Sequence, residues 1–167
     1  MSGKIEPGKL AGASEHSHQV ALFAALAEVS AKLRLVANDT SRSDVERSAA
    51  ERNACVIDWI HAVPNGGARG SDEKGGDRLA RIRGGQLKAE GVKSGVSDVD
   101  IPAARHGYHG FKIEMKAPGK LKGESTEQKA YGAYLATEDY LYAVFDSWED
   151  AFNAIAWYLG FTEFSKS

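Results

Sequence analysis

The chain has 167 residues, 43% of them apolar, and a formal net charge of −2. That length suits one compact domain with one core rather than two, and the near-neutral charge excludes a global electrostatic pull on nucleic acid, so any such affinity must reside in local patches. Cys55 is the only cysteine, which rules out an intrachain disulfide and a four-cysteine zinc site.

Residues 1–12, with Gly3, Pro7, Gly8 and Gly12 and no periodicity, read as a loose tail ahead of a domain over 13–162, and 163–167 read as a short C-terminal tail. The first ten residues hold no hydrophobic signal region, and no apolar run reaches the roughly 18 residues of a membrane span. The expected location is therefore the cytoplasm, with no membrane partner. Ser14 stands as N-cap to a helix in which Val20, Phe23, Ala24, Ala27, Ala31 and Leu35 recur at three- and four-residue spacing. A polar break at 38–43 precedes a charged helix over 44–53. Next, 56–63 reads as a strand, stopped by Pro64-Asn65-Gly66-Gly67.

The stretch 68–91 is basic and punctuated by glycines, with a short helix over about 77–88. Two alternating segments follow, 96–101 and 110–116, with Gly107 between them, and they predict adjacent antiparallel strands. A helix over 125–136, a strand over 140–145 and a last helix over 147–159 complete the order. The apolar face of Trp148, Phe152, Trp157, Tyr158 and Phe161 reads as core by default, with a subunit interface as the alternative. This succession implies an α/β (α+β) fold with a mixed central sheet flanked by helices.

Residues two apart on a strand share a face, so Glu114 and Lys116 point one way while Ile113 and Met115 point to the core. Pairing the two segments about a midpoint at His106 sets position i against 212 − i, which brings Asp98 opposite Glu114. Cross-strand neighbours have Cβ atoms about 4.5–5.5 Å apart, within joint reach of one cation. Two carboxylates about 4 Å apart repel by something like 4 kcal/mol at an effective dielectric near 20, and a hard divalent cation relieves this. Oxygen-only ligands favour Mg²⁺ or Mn²⁺ over zinc. Such an ion acidifies bound water and polarises a phosphodiester, with a lysine beside it to orient the nucleophile or offset charge at phosphorus. By itself Glu-Met-Lys also reads as an exposed ion pair on an ordinary strand.

The wider pattern resembles the VRR-NUC branch of the PD-(D/E)XK nucleases, a fold with a restriction-endonuclease-like core. The segments that carry the resemblance are Val63-Pro64-Asn65-Gly66-Gly67, the run from Leu87 through Gly91-Val92-Lys93-Ser94-Gly95 to Asp98, Tyr108-His109-Gly110 leading to Glu114-Met115-Lys116, and Ser125-Thr126-Glu127-Gln128. Similarity runs over about 14–160. It implies that Asp98, Glu114 and Lys116 occupy the cleavage positions, that Glu15 is an acidic metal ligand on the first helix, and that Gln128 borders the site. It also implies a stand-alone enzyme of the phage or bacterial type, acting as a homodimer on branched DNA such as four-way (Holliday) junctions. Ser97 stands where the family usually has a proline, and 38–53 looks like an insertion relative to shorter relatives.

Several of these residues have a second reading. Ser125 and Gln128 have the spacing of a helix capping box, and an acid at position 15 is favoured by the helix dipole alone. Asp100 shares the face of Asp98 and is expected as a solvated rim acid. Arg69, Arg81, Arg83, Lys88 and Lys93 are candidate phosphate contacts, with Lys88 and Lys93 placed best because they flank the strand of Asp98. The five histidines make no zinc spacing with Cys55. A nuclease-derived DNA-binding module without turnover is the alternative to an enzyme.

Overall fold

A computed structural model describes residues 14–64, 82 and 85–161. Both expected tails, and Arg69, Arg81 and Arg83, lie outside the described residues. The first helix, α1 (Glu15–Asn38), starts where Ser14 Oγ accepts from Ser17 N at 3.3 Å. Its core face is not the one the spacing predicts. Leu22, Leu26, Val29 and Leu33 turn inward with Ala21, His18 and Ser30, while Val20 and Leu35 are exposed. Apolar residues surround the helix over 20–27, so more than one stripe satisfies the periodicity, and the stripe with the larger leucine content is the one buried.

The second helix, α2 (Asp44–Trp59), opens with a reciprocal capping box between Ser43 and Glu46. It runs six residues past its expected end, so the strand expected over 56–63 shrinks to β1 (His61–Ala62). The β-branched Val56 and Ile57 stay helical because Ala50, Ala54 and Ile57 form one buried stripe that carries α2 against α1; burial outweighs a propensity of a few tenths of a kcal/mol. Ser30 and Arg34 of α1 clasp Asp58 of α2, and Arg34 also reaches Glu51.

The sheet is completed by β2 (Val99–Ile101), β3 (Phe111–Met115) and β4 (Leu141–Phe145) in the order β1-β2-β3-β4. The first two pairings are antiparallel and the last is parallel, which makes the sheet mixed. Between β3 and β4 lies α3 (Thr126–Thr137), and α4 (Trp148–Leu159) closes the fold. Val99 pairs with Ile113, Asp100 with Lys112 and Ile101 with Phe111, the register read from the sequence. His106 and Gly107, at φ 53° and 86°, form the centre of the connecting turn between Arg105 and Tyr108, where two left-handed residues suit a tight hairpin.

One face of the sheet is apolar. Val99, Ile101, Phe111, Ile113 and Met115 join Leu22, Leu26, Ala151, Ile155 and Tyr158 in a single buried cluster. Trp148, Phe152 and Phe161 are in it as expected, but Trp157 is 54% exposed, stacked on His106 at 4.6 Å. The other face is polar, and α3 lies over it, with Gly132 against the ring of Tyr142. No helix among the described residues is long and apolar enough to cross a membrane.

Candidate active site

The polar face of β2 and β3 carries two successive cross-strand rungs. On the first, Lys112 Nζ lies 2.6 Å from Asp100 Oδ1 and over the ring of Tyr140, and His61 Nε2 is 3.8 Å from the other Asp100 oxygen. Asp100 is thus a paired residue, not the solvated rim acid expected, because the register sets a lysine directly opposite it. The second rung is Asp98 against Glu114. Asp98 stands one residue ahead of β2; its carbonyl accepts from Val63 N at 2.8 Å and its Oδ2 from Met115 N at 2.8 Å. The carboxylate is therefore fixed to the backbone of the strand that bears Glu114.

Glu114 is 2% exposed and Lys116 9%, so the pair is no ordinary surface bridge. Glu114 Oε1 accepts from Lys116 Nζ at 2.7 Å and from Gln128 Nε2. Lys116 Nζ also donates to Gln128 Oε1 at 2.9 Å, and that oxygen accepts from Ser125 N at 2.8 Å. The capping box of α3 is complete, so Gln128 caps the helix and clamps Glu114 and Lys116 with the same side chain. Burial pushes the Glu114 carboxyl up to about 7. The Lys116 hydrogen bond pulls the other way, and the negative charges of Asp98 and Glu15 add to the rise.

These groups line one cleft of about 1360 Å³. Its walls bring together Glu15, Asp98, Glu114, Lys116 and Gln128 with Lys88 and Lys93. Residues 85–89 are helical and carry Lys88; the rest of the helix expected over 77–88 falls mostly outside the described residues. Gly95 seats the Lys93 loop on α3: it has φ +82°, and a Cβ there would come within 2.6 Å of Glu127 Cβ. The cleft also includes His16 and Gln19, which sequence reasoning missed. Gln19 is one helical turn beyond Glu15 and was readable from that spacing.

Glu114 Oε2 is buried without a hydrogen-bond partner among the described residues. A carboxylate oxygen left unmatched beside a second carboxylate is a costly arrangement, and an oxygen-seeking cation resolves both costs at once. The donor set therefore fits Mg²⁺ or Mn²⁺ held by Glu114 and Asp98. Glu15 faces the same cleft and its charge is felt at Glu114. Among the described residues, however, no three His, Cys, Asp or Glu side chains converge on one cation position.

The fold and cleft define an α/β domain with a buried carboxylate–lysine–glutamine cluster beside a basic wall. A solved structure described as a VRR_NUC domain protein has the same fold. The two chains superpose with a TM-score of 0.54 at 22% identity, covering 90% of this chain and 91% of that one. No family model matches the sequence, and no curated protein matches it.

Proposed function

We propose that the chain is a Mg²⁺- or Mn²⁺-dependent endonuclease that hydrolyses phosphodiester bonds in DNA, with Glu114 and Asp98 as the metal-holding pair. The observation that carries this reading is the unmatched, buried Glu114 Oε2, set in a cleft whose lining includes Lys88 and Lys93. The shared fold with a VRR_NUC domain protein supports it. Bound there, the cation would acidify a water and draw charge from a phosphate oxygen.

The protein's own groups would do the remaining work. Lys116 uses two of its three N–H donors on Glu114 and Gln128, which leaves a third for a phosphate oxygen or the attacking water. Gln128 holds that ammonium in place from a capped helix. The cation would keep Glu114 ionised at neutral pH against the desolvation that raises its pKa. Glu15, which lines the same cleft, would help to hold the cation. Lys88 and Lys93 would hold the DNA backbone without reading bases.

The resemblance of the motif segments extends the reading to branched DNA, four-way junctions included, and to a homodimer. A single centre cuts one strand, so symmetric cutting of a junction needs two centres about a two-fold axis. A second reading, a DNA-binding module without turnover, draws on the lack of a three-ligand cluster among the described residues. Labelled junction, flap and duplex DNA incubated with the protein, with and without Mn²⁺, separates the two. The proposal expects Mn²⁺-dependent nicks that Glu114→Ala abolishes; binding with no nick by either protein selects the module.

A further inference from the structure

The chain leaves the wall of the cleft after Ala117, and residues 117–124 form a loop built to hold its shape. It turns twice: Lys120 N donates to Ala117 O at 3.0 Å, and Gly123 N donates to Lys120 O at 2.8 Å. Gly119 adopts φ +75°, and a Cβ on Gly123 would come 2.9 Å from Lys120 O, so both turns depend on glycine. Two more bonds tie the loop to the sheet. Gly119 N donates to Asp146 Oδ2 at 2.8 Å, just past β4, and Tyr142 Oη donates to Glu124 Oε1 at 3.0 Å. The Tyr142 phenol is pushed far up by burial, then by Glu124.

The tip of this anchored loop reads Lys120-Leu121-Lys122, all three exposed. Leu121 is 47% exposed. An exposed leucine alone is ordinary. This one stands between two ammonium groups on a loop fixed at both ends, and the first turn folds Lys120 back onto Ala117, which lines the cleft beside Lys116. An apolar side chain between two cations suits bases laid bare between flanking phosphates.

We propose that the 117–124 loop is a wedge for DNA at a branch point. Leu121 packs on the bases exposed where strands part, while Lys120 and Lys122 hold the phosphates on either side. A continuous duplex must be unstacked before it offers such a face, whereas a junction or flap already presents one. The loop thereby favours branched over linear DNA. The proposal rests on the nuclease reading of the cleft for its substrate and goes beyond it in naming the residue that selects the substrate's shape.

The test uses the full chain and DNAs carrying 2-aminopurine, which brightens on unstacking, beside the branch of a junction and within a linear duplex. Binding is followed in Ca²⁺, and nicking is followed separately in Mn²⁺. The wild type is expected to brighten the junction probe; Leu121→Ala is expected to lose that rise and to lower the junction-to-linear nicking ratio about tenfold, one contact's worth of discrimination. Tyr142→Phe, which releases one anchor, lowers the same ratio less. The Lys120→Ala/Lys122→Ala double variant flattens the salt dependence of junction binding by about two phosphate contacts. A Mn²⁺-induced rise in Tm kept by Leu121→Ala shows that the centre is intact. Unchanged brightening and an unchanged ratio in Leu121→Ala overturn the wedge, as does equal loss on both DNAs or a wild type that binds no junction. A wild type that brightens the junction but never nicks DNA refutes the nuclease reading while upholding the wedge.

Discussion

The two rungs on the polar face of one hairpin differ above all in charge. Asp100 faces a lysine and Asp98 faces a glutamate. Burial is similar enough on the aspartate side that backbone geometry does not separate them; charge does. The Asp100–Lys112 rung neutralises itself and, at 18% and 16% side-chain exposure, acts as a structural ion pair. The Asp98–Glu114 rung cannot neutralise itself, and Lys116 reaches only one oxygen of Glu114. Burial raises the Glu114 carboxyl to about 7, and the charge of Asp98 adds to that rise. A buried carboxylate oxygen, Glu114 Oε2, without a hydrogen-bond partner among the described residues and beside a self-neutralising ion pair suits function better than stability.

The comparison is broken most severely by removing the unmatched acid. Glu114→Ala should cut Mn²⁺-dependent nicking by on the order of 100-fold or more, measured as single-turnover rate on a labelled junction. Asp98→Asn should do the same.

Acidity sharpens the contrast next. Glu114 titrates at about 7 in the fold against 4.5 unperturbed, so its protonated form favours the folded state. That contribution is complete below the unfolded pKa and is lost as pH rises through the folded one. In chelator, the wild type should therefore lose up to about 3 kcal/mol relative to Glu114→Gln between about pH 5 and pH 8. Urea titrations at several pH values measure it, and at the alkaline end Glu114→Gln should have the higher Tm. Saturating Mn²⁺ should reverse that order, since only the wild type gains the ion.

Gln128→Ala should have an intermediate effect. It removes a cap worth roughly 1 kcal/mol and the clamp on Lys116, with about a tenfold loss of nicking. Because Ser125 remains, calorimetry and kinetics of the same variant separate the two roles. The smallest effect belongs to the matched rung: Asp100→Asn should cost about 1 kcal/mol or less and leave the Mn²⁺-induced rise in Tm at the wild-type value.

The second rung was legible in the sequence because a strand's period of two and one turn position are enough to set a register. Counting from His106 placed Asp98 against Glu114, although the structure shows the turn itself centred between His106 and Gly107. The helix caps at Ser14 and Ser125 were equally local, and each appears. What failed was settled by which helix faces pack together. The inward face of α1 depended on which of several apolar stripes the sheet and α4 would cover, and the end of α2 depended on Ile57 finding α1. The ion pair of Asp100 follows from the same register that locates the site, which sets Lys112 directly opposite it. Tyr142 and Glu124 lie 18 residues apart in sequence and carry no shared motif, so only the fold reveals their bond.

Anomalous diffraction from a crystal soaked in Mn²⁺ tests the central claim most directly. The account predicts a peak about 2 Å from Glu114 Oε2 and from a carboxylate oxygen of Asp98, the distance a hard divalent ion keeps from its oxygen ligands. Density for the ion elsewhere, with Glu114 and Asp98 sharing nothing between them, would contradict it.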